Sequence, residues 1–234
     1  MNRPILPPVG PPIRPPTQPP PTIPGGSVTP TDPFWAQTVL LLNGNALEDA
    51  TGRHALIAYE GIVTASGGFL QFGGAASLRI EDNLADFAGG GPYTWEGESF
   101  SPVDLAATAV LLSTLDVGNG WEIFERPNPN STGGYYVDGG VYQEPGGLSW
   151  ADGLSHPWAM VMDENNNFSF YFEGTRHAFV EDVPNPAGVG PLFIGRESAT
   201  SAKNFIGGMR CRLTRAARYS GPSYVPPTYP LPTS

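Results

Sequence analysis

The chain has 234 residues, enough for one domain of ordinary size or two small ones, and 40% of them are hydrophobic, enough for one sizeable core. Only 15% are charged, while 30 Gly and 27 Pro favour short strands and tight turns over long helices. The formal charge of −10 is unevenly spread: Arg3 and Arg14 give residues 1–31 a charge of +2, leaving −12 on the rest, which repels phosphate backbones and argues against nucleic acid as a partner. Cys211 is the single cysteine, so no intrachain disulfide is expected. No stretch approaches the roughly 18 apolar residues that span a bilayer, and MNRPILPPVG has no apolar run of signal-peptide type. The expectation is a soluble protein made in a cytoplasm, without membrane insertion.

The first 31 residues carry proline pairs at Pro7 and Pro8, Pro11 and Pro12, Pro15 and Pro16, and Pro19 and Pro20, with Arg14 between them. Proline fixes φ and removes the amide donor, so this segment is read as extended polyproline II outside any sheet. At ~3.1 Å per residue, about 30 residues reach on the order of 90 Å. The spacing of the pairs does not match three residues per turn, so they do not line one face.

From Asp32 the pattern changes to strands. TVLLLNG (38–44) reads as a buried strand ending in a Gly turn, and EDATGR (48–53) as a polar turn. GGFLQFGGAASLRIED gives two short strands. YTWEGESF (93–100) alternates, with Tyr93, Trp95 and Gly97 on one face and Thr94, Glu96 and Glu98 on the other. ATAVLLSTLD is apolar enough to be buried on both faces. GWEIFER, GGYYVDGG and HPWAMVMD follow as strands, and FSFYFEGT returns after a turn at ENNN, as a hairpin does. PLFIGR comes next. In the last strand Met209, Cys211 and Leu213 alternate with Arg210 and Arg212. Many short strands with regular turn signals predict an all-β sandwich over 32–234, with the extended arm as a separate segment. Asn130-Ser131-Thr132 is read as a loop, not as a glycan acceptor.

The order of these pieces is more specific than their composition. VLLLNGNALEDATGRHALIAYEG, GGFLQFGGAASLRIED and DFAGGGPYTWEGESF, followed by HPWAMVMDENNNFSFYFEGT and PLFIGR, resemble the laminin-G-like, concanavalin A-like jelly roll. The ending, an arginine-bearing strand followed by Arg218-Tyr219 and the Pro226-Pro227 tail, is similar to versions found in tailed-bacteriophage virion proteins. The resemblance covers roughly 33–232 and leaves the arm unexplained. It implies a jelly-roll β-sandwich, and this sandwich hosts many functions.

Each candidate site is weighed against a structural role. Laminarinase-type glycosidases of this fold carry two glutamates flanking an aspartate. In WEIFER, Glu122 and Glu125 are spaced to opposite faces of a strand and Phe124 stands in the aspartate position. Glu96 and Glu98 share a face and form the better carboxyl pair, but the same pattern is the exposed polar face of non-enzymatic relatives. Asp163, Asn165 and Asn167 imitate the start of an EF-hand loop, yet Phe168 replaces the required Gly and Gly174 the final Glu, which leaves a hairpin turn. Calcium at a sandwich edge, to which Asp49 or Asp82 could contribute, is demanded by no spacing, so neither metal nor cofactor is expected. His54, His156 and His177 neighbour no nucleophile motif, and His156 reads as a satisfied edge position. Cys211 is expected to be an inert core thiol. Arg210, Arg212, Arg215 and Arg218 read as a solvent-facing strand paired with the abundant acids. Glycan binding needs exposed rings, and Tyr135, Tyr136, Tyr142 and Trp150 in GGYYVDGGVYQEPGGLSWADG are the candidates, with core or partner packing as the alternative.

A polyproline strand loses little conformational entropy on docking, so the arm (Pro7, Pro8, Pro11, Pro12, Arg14, Pro15, Pro16, Pro19, Pro20) suits attachment along a groove of another protein. The expectation is therefore a bacteriophage virion structural protein on the particle exterior, either a capsid decoration protein or a tail or fibre appendage. It would be non-enzymatic and would display a lectin-like sandwich towards host-surface polysaccharide. Such appendages are often homotrimers, although this sequence carries no oligomer signal. The alternatives are a polysaccharide-degrading glycoside hydrolase using Glu96 and Glu98, or a free carbohydrate-binding module.

Overall fold

The computed structural model describes residues 32–101, 108–115, 120–125, 133–137, 141–143, 148, 152–184, 189–201 and 203–231, the strands between 133 and 143 by their backbone alone. Strands β1 (Thr38–Leu42), β3 (Val63–Ser66), β4 (Phe69–Phe72), β6 (Tyr93–Phe100), β11 (His156–Met162), β12 (Phe168–Phe172), β13 (Thr175–Val180) and β15 (Gly207–Thr214) build one antiparallel sheet. Its order is β13-β12-β11-β6-β15-β4-β3, with β1 pairing along the upper part of the β15 edge that β4 occupies lower down. The second sheet contains β2 (Ile57–Glu60), β5 (Ser77–Ile80), β7 (Ala109–Ser113), β8 (Trp121–Glu125), β9 (Gly133–Val137), β10 (Val141–Gln143) and β14 (Leu192–Ile194) in the order β10-β9-β8-β7-β14-β5-β2. The result is the all-β jelly-roll sandwich expected from the sequence.

The core lies between the sheets. Trp95 of β6 meets Trp121 of β8 across it, ring centroids 5.2 Å apart, and Trp158 and Phe170 fill the space beside them. Two of the indole N–H groups find partners: Trp158 donates to Ser99 Oγ at 3.1 Å and Trp121 to the Phe87 carbonyl at 3.0 Å. Cys211 is buried among these residues, and burial pushes its thiol well above the usual range, as an inert core thiol requires.

Strands β11 and β12 read as continuous apolar runs because both their faces are covered. Trp158, Met160, Phe168 and Phe170 enter the main core, while Ala159, Val161 and Tyr171 form a second apolar cluster with Tyr224 of the C-terminal tail. Strands β2, β3 and β13 are absent from the sequence reading. All three are sheet edges, and β2 and β13 have mostly exposed positions that leave no apolar run to detect.

Gly97 makes one close approach possible. A Cβ there would meet the Arg210 carbonyl oxygen at 2.6 Å and Trp158 Cζ2 at 2.7 Å, so only glycine lets the indole lie against β6. Gly97→Ala is expected to cost about 1–3 kcal/mol of unfolding free energy in a denaturant titration, without loss of the fold.

Candidate functional site

The outer face of the first sheet carries the charged residues singled out in the sequence. Antiparallel pairing sets Arg212 opposite Glu96 and Arg210 opposite Glu98 on neighbouring strands β15 and β6. Arg212 donates to Glu96 Oε1 through Nε at 2.8 Å and Nη2 at 2.5 Å, and reaches Asp32 through Nη1. Arg218 lies 3.2 Å from both Asp32 oxygens and 3.0 Å from Glu96 Oε1, and Tyr219 donates its hydroxyl to Glu96 Oε2 at 2.5 Å. Two carboxylates and two guanidinium groups thus balance. Glu96 is 0% exposed and Arg212 1% exposed, so the group is a buried clasp.

The expectation of a solvent-facing arginine strand is corrected. The acids do pair with it, but residues 215–231 fold back over the face as a strap. Thr94 Oγ1 donates to the Ala216 carbonyl, Tyr171 to the Gly221 carbonyl, and Asn43 and Leu231 exchange two hydrogen bonds at the far end. Arg210 is sandwiched between the rings of Phe69 and Tyr229, at 4.4 and 4.3 Å, and donates to Glu98 Oε2 at 2.9 Å. Arg215 instead bonds the Ala88 and Gly90 carbonyls. Glu96 and Glu98 are therefore held in ion pairs, where each carboxylate already has its partners, Glu98 also accepting from Ser155 Oγ at 2.7 Å.

Burial raises the pKa of Asp32, but the Phe34 amide and the charges of Arg212 and Arg218 outweigh it and hold this carboxyl below its usual range. Its contribution to stability is thus complete above about pH 4 and is lost as the pH falls through the lowered native value. Asp32→Asn is expected to cost about 3 kcal/mol at neutral pH and to shallow the acid limb of the stability profile, as read by thermal unfolding between pH 2 and 7.

In WEIFER the two glutamates do separate. Glu125 shares the parity of the core residues Trp121 and Ile123 and accepts from Ser101 Oγ, whereas Glu122 contacts Glu197. Burial pushes the Glu125 carboxyl up to about 8, against a smaller opposing effect of Ser101, and its Oε2 has no partner. A raised acid favours its neutral form in the folded state, so stability falls as the pH rises from about 4 towards 8. Glu125→Gln is expected to match the parent near pH 4 and to exceed it by a few kcal/mol at pH 8, measured by denaturant titration at both values.

The calcium candidates serve turns. Asp49 accepts from the amides of Leu41, Thr51, Arg53 and His54 and from the Thr51 hydroxyl, and Asp82 accepts from the Ala55 amide and faces His54 Nδ1 at 3.2 Å. Asp163 closes the β11–β12 hairpin, accepting from the amides of Asn165 and Asn167, both at 2.8 Å. Among the described residues no group of three or more His, Cys, Asp or Glu is placed to hold a metal.

Of the glycan candidates, Tyr135 and Tyr136 lie on β9 and Tyr142 on β10, where Tyr142 registers with Tyr136. Trp150 and the docking residues Pro7, Pro8, Pro11, Pro12, Arg14, Pro15, Pro16, Pro19 and Pro20 lie outside the described residues.

A constellation that the sequence reading missed sits where β11 begins and β12 ends. His156, 5% exposed, places Nε2 2.8 Å from Asp152 Oδ1 and Nδ1 2.9 Å from Glu173 Oε1, and its ring stacks on Phe172 with centroids 5.1 Å apart. His177 of β13 meets the same Phe172 edge-on at 6.3 Å. Burial works against the Asp152 charge, yet hydrogen bonds from His156 and the Leu154 amide hold its carboxyl below the usual range. Together with Leu148, Leu154 and Thr175 these residues line an open cleft of about 470 Å³. His156 is satisfied, as expected, but by two acids in a cleft. The one sequence signal was the four-residue spacing of Asp152 and His156.

No protein-family model matches this chain, and no curated protein sequence does. Solved structures do. Domain 4 of AbnA, a GH43 extracellular arabinanase from Geobacillus stearothermophilus in complex with arabinotriose, is similar with a TM-score of 0.59 at 15% identity, over 77% of this chain and 94% of that one. A mutant of Trypanosoma rangeli sialidase displaying trans-sialidase activity gives 0.61 at 14% identity, over 79% of this chain and 31% of that chain. The receptor binding domain of botulinum neurotoxin type G gives 0.57 at 10%, over 78% and 49%. The chain spans nearly all of the arabinanase domain but half or less of the other two. At these identities the likeness establishes the shared lectin-like β-sandwich fold.

Proposed function

We propose that this protein is a non-catalytic, glycan-reading sandwich tethered to a larger assembly by its Pro-rich arm. The observation that carries the reading is the fate of Glu96 and Glu98. Retaining hydrolysis needs one carboxyl free to attack and one free to donate a proton. Here both are committed to guanidinium partners, Glu96 under the strap, while an open cleft of polar side chains lies beside β11. The sandwich fold, shared with a domain solved in complex with arabinotriose and with toxin receptor-binding domains, supports binding as the mode of action.

The assembly we propose is the exterior of a bacteriophage particle, with the protein as a capsid decoration or a tail or fibre appendage. The resemblance of the arginine-bearing last strand and its Pro-rich tail to phage virion proteins supports this, as does an extended arm suited to docking in a groove. A homotrimer fits such a location. The test is to add the full chain and residues 32–234 separately to particles lacking the protein and to measure retention. Retention of the full chain alone is expected. Equal retention of both would refute the tether and put the docking surface on the sandwich, and retention of neither with polysaccharide binding intact would leave a free carbohydrate-binding module. Release of reducing ends from polysaccharide, abolished by Glu96→Gln and Glu98→Gln together, would establish the hydrolase instead.

A further inference from the structure

We infer that the Asp152–His156–Glu173 cleft is the sugar site and that it selects an uncharged, hydroxyl-rich ring over an acidic one. This rests on the glycan-reading function proposed above and adds where the ring sits and what its charge must be.

Asp152 and Glu173 each commit one oxygen to His156, and Asp152 Oδ1 also accepts the Leu154 amide at 2.8 Å. Asp152 Oδ2 and Glu173 Oε2 are thereby left with acceptor capacity on two residues that line the cleft, as Thr175 does. A carboxylate only accepts, so its natural partner is a ligand O–H. A sialate, uronate or sulfate brings further acceptors and a negative charge against two carboxylates that share one imidazole. The −12 of the chain beyond residue 31 repels it further.

The apolar half of the site is also present. Leu154 is 64% exposed at the rim, and the exposed His177 ring stands edge-on to Phe172, so the C–H face of a pyranose or furanose has a surface to cover. The volume of about 470 Å³ falls within the ~300–1,000 Å³ range of small-molecule sites. The polar groups are fixed before any ligand arrives. His156 is held by its stacking and two carboxylates. The Glu173–Gly174–Thr175 turn is held by the strap, with Tyr224 N donating to the Gly174 carbonyl at 2.8 Å and Arg176 N to the Pro222 carbonyl at 2.9 Å. Gly174 has φ +80°, and a Cβ there would lie 2.9 Å from the Tyr224 carbonyl oxygen. A wall held this way loses little entropy on binding.

The test is calorimetric titration of the full chain with three probes: neutral arabino- and gluco-oligosaccharides, sialyllactose, and chitosan oligosaccharides. Neutral sugars are expected to bind and sialyllactose at least ten-fold more weakly. Glu173→Gln and His177→Ala are each expected to weaken the neutral sugar ten-fold or more while the thermal midpoint moves little. Binding of sialyllactose as tightly as neutral sugar, binding of chitosan alone, or full neutral-sugar affinity in both cleft variants would overturn the inference while leaving a glycan-reading protein. Binding of none of the three probes would overturn both.

Discussion

Two acids and two arginines drawn from three separate parts of the chain meet on the outer face of one sheet, and most of what is distinctive about this molecule depends on that meeting. Asp32 precedes the first strand, Glu96 lies at the middle of β6, and Arg212 and Arg218 bracket the end of β15. A group of four charges out of contact with water is costly unless each charge has its opposite and its hydrogen bonds; here every charge has its opposite, while Arg218 Nε, 3.0 Å from Glu96 Oε1, makes no hydrogen bond. Beside this neutralised group the strap packs its tyrosines Tyr219 and Tyr224 on Tyr171. The strap in turn holds the β12–β13 turn. The clasp therefore reaches the cleft through a continuous chain of contacts, although neither its charges nor its rings line that cleft.

This arrangement assigns the two sets of carboxylates different roles for a physical reason. Glu96 and Glu98 sit directly opposite arginines on a neighbouring strand, so a register fixed by sheet pairing neutralises them. Asp152 and Glu173 come from a loop and a turn, where the partner they share is one imidazole held between them. The first set is locked by the regular part of the fold. The second stands where the regular part ends and retains acceptor capacity, which is the property a hydroxyl-rich ligand needs.

The sandwich was legible in the sequence because its inner strands declare themselves. YTWEGESF and GGMRCRLT alternate cleanly, and the apolar runs of β1, β7, β11 and β12 follow from burial on both faces. Edge strands β2 and β13 have no such signature, since exposure removes the apolar period that would reveal them. The pairing of the last-strand arginines with acids could be anticipated from charge. Their burial could not, because it is produced by residues 215–231 folding back over a face that alternation alone marks as polar. The cleft was hidden for a similar reason: Asp152, His156, Glu173 and His177 belong to three segments that only the β11–β12–β13 pairing brings together. Rings in a Gly-rich stretch drew attention to Tyr135, Tyr136, Tyr142 and Trp150, whereas the acids and imidazoles that line the cleft carry no comparable mark.

The central claim is that the sheet face bearing Glu96 and Glu98 is shut and that ligands meet the molecule at the β11–β13 cleft. It is tested most directly by titrating isotope-labelled full-length protein with arabinotriose and following every backbone amide by NMR. The account predicts shifts concentrated at Leu154, His156, Glu173 and His177, with Thr94 and Glu96 unmoved. Shifts centred on the Thr94–Glu98 stretch, or consumption of the arabinotriose during the titration, would contradict it.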